Sequence, residues 1–154
     1  ALVVSSSAKA GALARVEPYG IPTLVVNREE LASPQFVRML QTDYHVTFIV
    51  LAGFLSLIPE TITTAYAHRM INIILPRYCG KGMYGRHVHE AVKAAGDTET
   101  GMTIHWVSDE IDGGAIISQF STPLLPTDTV DDIARKEHEL EMQHFPAEIE
   151  RILG

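Results

Sequence analysis

The apolar stretch at residues 46–54, "VTFIVLAGF", is the part of the sequence that decides the fold. It is continuous and rich in β-branched residues, which is typical of a central parallel strand covered on both faces. Further apolar runs alternate with helical patterns up to residue 100, the runs lying at residues 1–6, 21–26 and 70–75. This alternation predicts βαβ units and therefore an α/β fold with a mainly parallel sheet.

The last third of the sequence predicts a different arrangement. Two strand patterns, "TGMTIHWVSD" and "GAIISQFSTPL", are separated only by the short turn "EIDGG", which indicates an antiparallel edge. A long helix is expected after Thr129, a good N-cap, with Pro146 kinking or restarting it. We predict one domain over residues 1–154, built on a three-layer, Rossmann-like open sheet that is mainly parallel and has an antiparallel edge towards the C-terminus.

The composition excludes several classes of protein. The chain has 154 residues, 46% of them apolar and 20% charged, which is ordinary for a globular domain. Its formal net charge of −7 argues against nonspecific binding to nucleic acid. The longest apolar run, residues 48–58, is too short to span a bilayer and is broken by Gly53. Cys79 is the single cysteine, which fits a reducing cytoplasm.

Asn72 and Asp112 are the first candidates for chemistry. Asn72 ends an apolar strand and Asp112 lies in "DEIDGG", and ligands of open α/β sheets bind beyond the carboxyl ends of strands. An asparagine amide can stabilise an oxyanion, and an aspartate can orient an imidazole. The alternative is that Asn72 caps a turn and Asp112 begins one.

The histidines are weaker candidates. His87 and His89 are two residues apart, so they do not share a helical face, and no carboxylate pattern completes a metal site. An exposed position at a helix start is the alternative for both. His105 lies on a strand between Ile104 and Trp106, where a histidine satisfied by one hydrogen bond is the ordinary interpretation.

Two further groups are compatible with ligand binding. His138 and Glu141 are three residues apart on the last helix, so they share a face and could hold a ligand hydroxyl, although residues 135–145 mostly have the pattern of a solvated face. Leu55, Leu57 and Ile58 follow the central strand and could line an apolar slot for a flat ring, although core packing is their ordinary role.

Together and in this order, the segments resemble the folate-dependent formyltransferase family over nearly the whole chain. The resemblance is carried by "IVLAGFLSLIP", "MINI", "LPRYCGKGMYGRHVHEAV", "TGMTIHWVSDEIDGGAII" and "DTVDDIARKEHELEMQHFP". Its most specific motif is H-x-V at residues 105–107 followed by D-x-x-D-G-G. The "GKGMYG" segment favours the branch that formylates glycinamide ribonucleotide in purine synthesis.

The resemblance implies transfer of a formyl group from 10-formyltetrahydrofolate to the amine of glycinamide ribonucleotide, without a metal. Asn72 would stabilise the oxyanion, and Asp112 would hold the catalytic histidine and an ordered water. The enzyme would be cytoplasmic, a monomer or homodimer, and would bind small molecules but neither nucleic acid nor membrane.

The resemblance also implies binding residues. His138 and Glu141 would contact the ribonucleotide, and His87 and His105 would support the site. The folate would contact a set of residues from two segments: Leu55, Leu57, Ile58, Val107, Ser108, Asp109 and Glu110.

The sequence departs from the family in two places. A first strand and a small-residue phosphate loop should precede Ala1, so we expect the N-terminus to be incomplete. The family also reads N-I-H-P-x-L-L-P where this chain reads "NIILP", without the catalytic histidine. Either the chain is a paralogue that binds without catalysing, or residues are missing from the sequence; the intact "DEIDGG" favours the second.

Two other formyl-folate enzymes are alternatives to the ribonucleotide branch. A methionyl-tRNA formyltransferase normally carries a basic C-terminal domain, whereas this sequence ends after one acidic helix. A formyltetrahydrofolate hydrolase usually carries an N-terminal regulatory domain, which the truncated start leaves open.

Overall fold

The computed structural model describes residues 1–54, 57–74, 86–107 and 114–154. The chain forms two compact units, one of Ala1–Ile49 with Leu57–Met70 and the other of Val50–Ser56 with Ile71–Gly154. Helices and strands occur in both units, so the prediction of an α/β fold is confirmed.

The first unit begins with a parallel pair of short strands. β1 (Val3–Ser5) and β2 (Thr23–Val25) pair in parallel, with Val4 opposite Leu24. Between them lie α1 (Gly11–Val16) and a 3₁₀ turn, and the chain leaves that turn through Gly20 at φ 65°. Because only glycine adopts this left-handed conformation readily, the helical segment ends at Gly20.

The remaining helices of the first unit are short and closely spaced: α2 (Arg28–Ala32), α3 (Pro34–Thr42) and α4 (Glu60–Ala65). Asn27 and Glu30 form a capping box at the start of α2. Ser33 occupies the N-cap position of α3, but its hydroxyl donates to the Glu30 carbonyl at 2.7 Å, so it closes α2 rather than capping α3.

The core of the first unit is formed by α3 and α4. Its buried side chains include Phe36, Leu40, Ile62 and Tyr66. The Tyr66 hydroxyl donates to the Val46 carbonyl at 2.9 Å, which joins the end of α4 to the chain entering the next strand.

That strand, β3 (Ile49–Leu51), is much shorter than the predicted 46–54. Val46 is held outside it because its amide donates to the Leu40 carbonyl at 2.8 Å. Gly53 then turns the chain away at φ 65°. Local hydrogen bonding and one glycine therefore shorten a stretch whose apolar character alone indicated a long strand.

The larger sheet has the strand order β3, β4 (Met70–Ile74), β5 (Glu99–Trp106), β6 (Ile116–Pro123). Both β4–β5 and β5–β6 are antiparallel. The predicted antiparallel edge is confirmed, and it extends one strand further than expected. The helix α5 (Arg86–Ala95) follows β4, yet β5 returns beside β4 in the opposite direction, so the β4–α5–β5 segment is not a parallel βαβ unit.

β5 is the central strand of the second unit. Residues 100–105 are all buried, because β4 and β6 flank the strand and both of its faces are covered. A register irregularity between Ile104 and His105 increases the local twist at its carboxyl end. The buried apolar side chains of this unit are Ile71, Val88, Val92, Met102, Ile104, Ile133, Leu140 and Phe145.

α6 (Val130–Leu153) packs against α5, β5 and β6. Thr129 and Asp132 form a capping box at its start, as the sequence suggested. The prediction that Pro146 restarts the helix is wrong, because the helix continues through it. Phe145 and Leu140 anchor the surrounding turns in the core and so offset the hydrogen bond that proline cannot donate.

No helix within the described ranges is both long and apolar enough to cross a bilayer.

Candidate active site

The register of β4 and β5 brings two predicted site residues together. Asn72 on β4 lies directly opposite His105 on β5. Directly opposed residues of an antiparallel pair point to the same face of the sheet, with Cβ atoms about 5 Å apart. An amide and an imidazole therefore lie side by side near the end of β5, an arrangement that the sequence spacing alone did not predict.

His105 is almost fully buried, with 4% of its surface exposed. Its Nδ1 is 2.9 Å from the Trp106 carbonyl oxygen. Because a carbonyl only accepts, Nδ1 carries the hydrogen, and Nε2 of the neutral ring is left as an acceptor. Nε2 is buried and has no hydrogen-bond partner among the described residues. The sequence alternative of a satisfied core histidine therefore accounts for only one of the two ring nitrogens.

Asn72 is half-buried, and its amide orientation is set locally. The Asn72 Oδ1 accepts from the Ile73 backbone N–H at 2.9 Å. This occupies the oxygen and leaves the Nδ2–H groups as the donors that a ligand oxygen could use. β4 then continues through Ile73 and Ile74, each in register with β5.

Gly114 fixes where the chain returns to β5. A Cβ atom at this position would lie 1.4 Å from the Trp106 carbonyl oxygen, so only glycine fits. The Trp106 amide donates to the Ala115 carbonyl at 2.9 Å, which closes the corner. Val107, a predicted folate contact, is half-buried at the end of this strand. The second glycine of "DGG" is therefore a packing requirement of the fold.

Several predicted site residues lie outside the described ranges. These are the catalytic candidate Asp112 and the predicted folate contacts Leu55, Ser108, Asp109 and Glu110. Leu57 and Ile58 belong to the first unit, where Leu57 is 66% exposed and Ile58 is half-buried. An exposed leucine is not a core residue, so the packing alternative does not hold for Leu57.

The two residues predicted to bind a ligand from α6 differ in exposure. His138 is exposed and Glu141 is half-buried. Burial raises the pKa of Glu141, and the charge of His138 partly opposes that shift. His87, in contrast, is exposed at the start of α5 with its Nδ1 3.5 Å from the Glu90 carboxylate.

Sequence reasoning missed one polar pair, His89 and Glu137. The side chain of Glu137 is only 9% exposed, and its Oε2 lies 3.0 Å from Nδ1 of His89. Burial raises the pKa of Glu137 to about 8, with a smaller contribution from the charge of Glu141. A signal was present: Glu137 lies four residues after Ile133 and three before Leu140, so it falls on the buried stripe of α6. The prediction of a solvated face was wrong at this position.

Comparisons with known proteins identify the family of the chain. A family model described as formyl transferase matches residues 1–149. A phosphoribosylglycinamide formyltransferase of Haemophilus influenzae is 33% identical over 95% of this chain and 70% of its own length. The chloroplastic enzyme of that name from Arabidopsis thaliana is 35% identical over 90% of this chain, which spans about half (52%) of the plant protein.

A solved structure supports the same assignment. The phosphoribosylglycinamide formyltransferase of Streptococcus pneumoniae superimposes with a TM-score of 0.86 over 99% of this chain and 86% of its own, at 28% identity. The predicted Rossmann-like architecture is thereby confirmed. The chain belongs to the formyl transferase family.

Proposed function

We propose that this chain transfers a formyl group from 10-formyltetrahydrofolate to the amine of glycinamide ribonucleotide. The observation that carries the proposal is the match to the formyl transferase family over residues 1–149, joined to the placement of Asn72 beside His105. Relatives that bear this activity in their names extend over most of the chain. The reaction would involve small molecules and would take place in the cytoplasm, where the single Cys79 stays reduced.

The proposed reaction begins with attack of the substrate amine on the formyl carbon. The carbonyl oxygen becomes an oxyanion, to which Asn72 Nδ2–H donates. The amine then loses a proton, the bond from the formyl carbon to the folate nitrogen breaks, and that nitrogen takes up the proton. The products are the formylated ribonucleotide and tetrahydrofolate.

Proton transfer is the step for which the family motif supplies a histidine. Three residues of that motif, the histidine among them, are absent after Ile73, and the expectation that they are missing from the sequence remains a prediction. Within the described residues, the buried ring nitrogen beside Asn72 that has no hydrogen-bond partner is Nε2 of His105. That nitrogen is buried, so His105 keeps the supporting role that the family resemblance implies, and Asp112 would hold the motif histidine and an ordered water for proton transfer.

The binding residues of the proposal are those that the family resemblance implies. Glu141 and His138 would bind the ribonucleotide, supported by their shared face and mutual electrostatic interaction. The single domain over residues 1–154 and the monomer or homodimer remain predictions. The pterin would contact Leu55, Leu57, Ile58, Val107, Ser108, Asp109 and Glu110, with His87 in a supporting role.

Replacement of Asn72 tests the proposal. Asn72→Ala should lower kcat for formyl transfer by about 10²–10³-fold, the usual cost of losing one oxyanion donor. The matched control is Asn27→Ser, which changes the other asparagine and keeps a capping oxygen at the start of α2. A wild-type protein that releases formate without formylating the ribonucleotide would instead be a hydrolase.

A second function is favoured by the absence of the motif histidine after Ile73. A chain without the motif histidine could bind reduced folate and glycinamide ribonucleotide without turnover. Calorimetric binding of both ligands, together with no formylated product, would establish this alternative.

A further inference from the structure

The buried pair between α5 and α6 has no part in the proposed chemistry. His89 and Glu137 have side chains 15% and 9% exposed, with Nδ1 and Oε2 3.0 Å apart. An ionised carboxylate is costly to bury without a hydrogen bond, and Glu137 Oε2 accepts none among the described residues, so burial favours the protonated acid. The contact joins the first turns of α5 to the middle of α6, since those two helices pack together.

Glu137 also lies one helical turn before Glu141. Carboxylates four residues apart on a helix are neighbours and repel when both are charged. The two groups interact here, because the charge of Glu141 contributes to the raised pKa of Glu137. A proton held at Glu137 therefore removes the like charge that lies one turn from Glu141 on the same face of α6.

We propose that Glu137, through its contact with His89, is a positioning residue that holds Glu141 ionised and in place for the ribose hydroxyls of the ribonucleotide. This inference rests on the proposed function, in which Glu141 contacts that substrate. A carboxylate can accept hydrogen bonds from two hydroxyl groups, which suits the diol of a ribose.

Among the described residues, the other titratable groups of α5 and β5 are exposed or make contacts of their own. From α5, His87 and Glu90 contact each other at 3.5 Å and are exposed, and Lys93 donates to the Pro126 carbonyl. From β5, Glu99 is exposed and His105 is bonded to the Trp106 carbonyl.

On α6 itself, His138 is the cation that acts on Glu141. β6 carries no titratable side chain. The protonation of Glu137 is therefore governed first by its burial and then by the charge of Glu141.

This arrangement predicts a dependence on pH that belongs to the ribonucleotide only. Because the pKa of Glu137 is raised to about 8, the pair keeps its proton at neutral pH and loses it above that value. Two negative charges then lie one turn apart, and ribonucleotide binding weakens. The folate should not sense the change, since neither member of the pair is among its proposed contacts.

Two substitutions of Glu137 separate its protonation from its polar contact with His89. Glu137→Gln mimics the protonated acid, because its amide can donate to His89 but cannot ionise. Glu137→Leu removes the polar contact while keeping the volume. Glu139→Gln is the matched control, since Glu139 lies on the same helix and is 67% exposed.

Steady-state kinetics between pH 6.5 and 9.5, with each substrate varied in turn, test the inference on the full chain. In the wild type, KM for glycinamide ribonucleotide should rise by about threefold or more across pH 8, as expected for one ionisation. Glu137→Gln should abolish that rise and keep the neutral-pH value. Glu137→Leu should raise the same KM by about tenfold at every pH, with kcat and the KM for folate within about twofold.

The possible outcomes distinguish this inference from the proposed function. An active wild type whose ribonucleotide KM is unchanged in Glu137→Leu, or a Glu137→Gln variant that keeps the wild-type pH profile, overturns the positioning role alone. A wild type without formyl transfer overturns the proposed function and this role with it. If Glu137→Leu does not fold, the pH profile of Glu137→Gln decides.

Discussion

Two polar sites in the second unit are held together in different ways. Asn72 and His105 are neighbours because backbone hydrogen bonds set the register of β4 against β5. His89 and Glu137 meet through their own side chains, between two helices. In the sheet, a substitution of Asn72 or His105 should change the reaction while the backbone register of β4 and β5 stays the same. Between the helices, a substitution should change the geometry itself, because the contact is part of what fixes it.

The largest expected effect concerns the sheet site and the missing histidine. Insertion of His-Pro-Ser between Ile73 and Ile74 recreates the family motif directly after Asn72. We expect kcat for formyl transfer to rise by about 10²–10⁴-fold, the range for one positioned acid–base group. The measurement is product formation at saturating substrates.

Insertion of Ala-Pro-Ser is the control for that prediction, because it has the same length without the imidazole. An equal gain from both insertions would assign the effect to chain length. A wild-type rate already typical of an enzyme, unchanged by either insertion, would show that formyl transfer does not need the motif histidine.

The next effect concerns the backbone corner that supports His105. Gly114→Ala places a Cβ within 1.4 Å of the Trp106 carbonyl oxygen, so β5 and the returning chain must separate. We expect a loss of about 4 kcal/mol in the free energy of unfolding, measured with urea. Gly11→Ala is the control, since its Cβ would have no atom within 4 Å. Equal stability of both variants would show that the corner is not tightly packed.

Ionisation of Glu137 should make the stability of the folded chain depend on pH. Glu137 has a folded-state pKa of about 8 against an ordinary value of 4.5, so the folded chain binds more protons between these values. Stability contributed by this group is therefore lost as pH rises through that window. Thermal unfolding should show Glu137→Gln gaining on the wild type from pH 5 to pH 8.5.

For Asp128, stability changes with pH in the opposite direction. Its hydrogen bond with Lys136 lowers its pKa, so its contribution is present above the ordinary value of 3.8 and is lost as pH falls. Asp128→Asn should therefore approach the stability of the wild type in acid.

A stability difference between Glu137→Gln and the wild type that does not change with pH would mean that Glu137 is ionised in the folded chain.

The smallest effect lies at the start of α6, which carries Glu137. Thr129→Ala removes the hydroxyl that accepts from the Asp132 amide at 3.1 Å, and should cost about 1 kcal/mol. Ser33→Ala should cost less in helix capping, because Ser33 does not cap α3. Urea unfolding of both variants checks the order, and a larger loss at Ser33 would contradict it.

The sequence predicts best those element ends that depend on the side chain of a single residue. Thr129 begins a helix as predicted, because its hydroxyl oxygen accepts from the Asp132 amide, which has no partner within the helix. The length of β3 was not predictable in this way. Its limits depend on the Val46 amide bonding to Leu40 and on the turn at Gly53, and the apolar pattern contains neither signal in full.

By itself the sequence determined the family, the candidate residues Asn72 and His105, and the absence of a histidine from the motif after Asn72. These depend on residue identity and order along the chain. Only the tertiary structure decided that Asn72 lies opposite His105, that β5 runs antiparallel to β4, and that Glu137 is buried against His89. Strand direction and helix contacts are set by packing between distant segments, and a carboxylate in a charged run has the same local pattern whether it faces solvent or an imidazole.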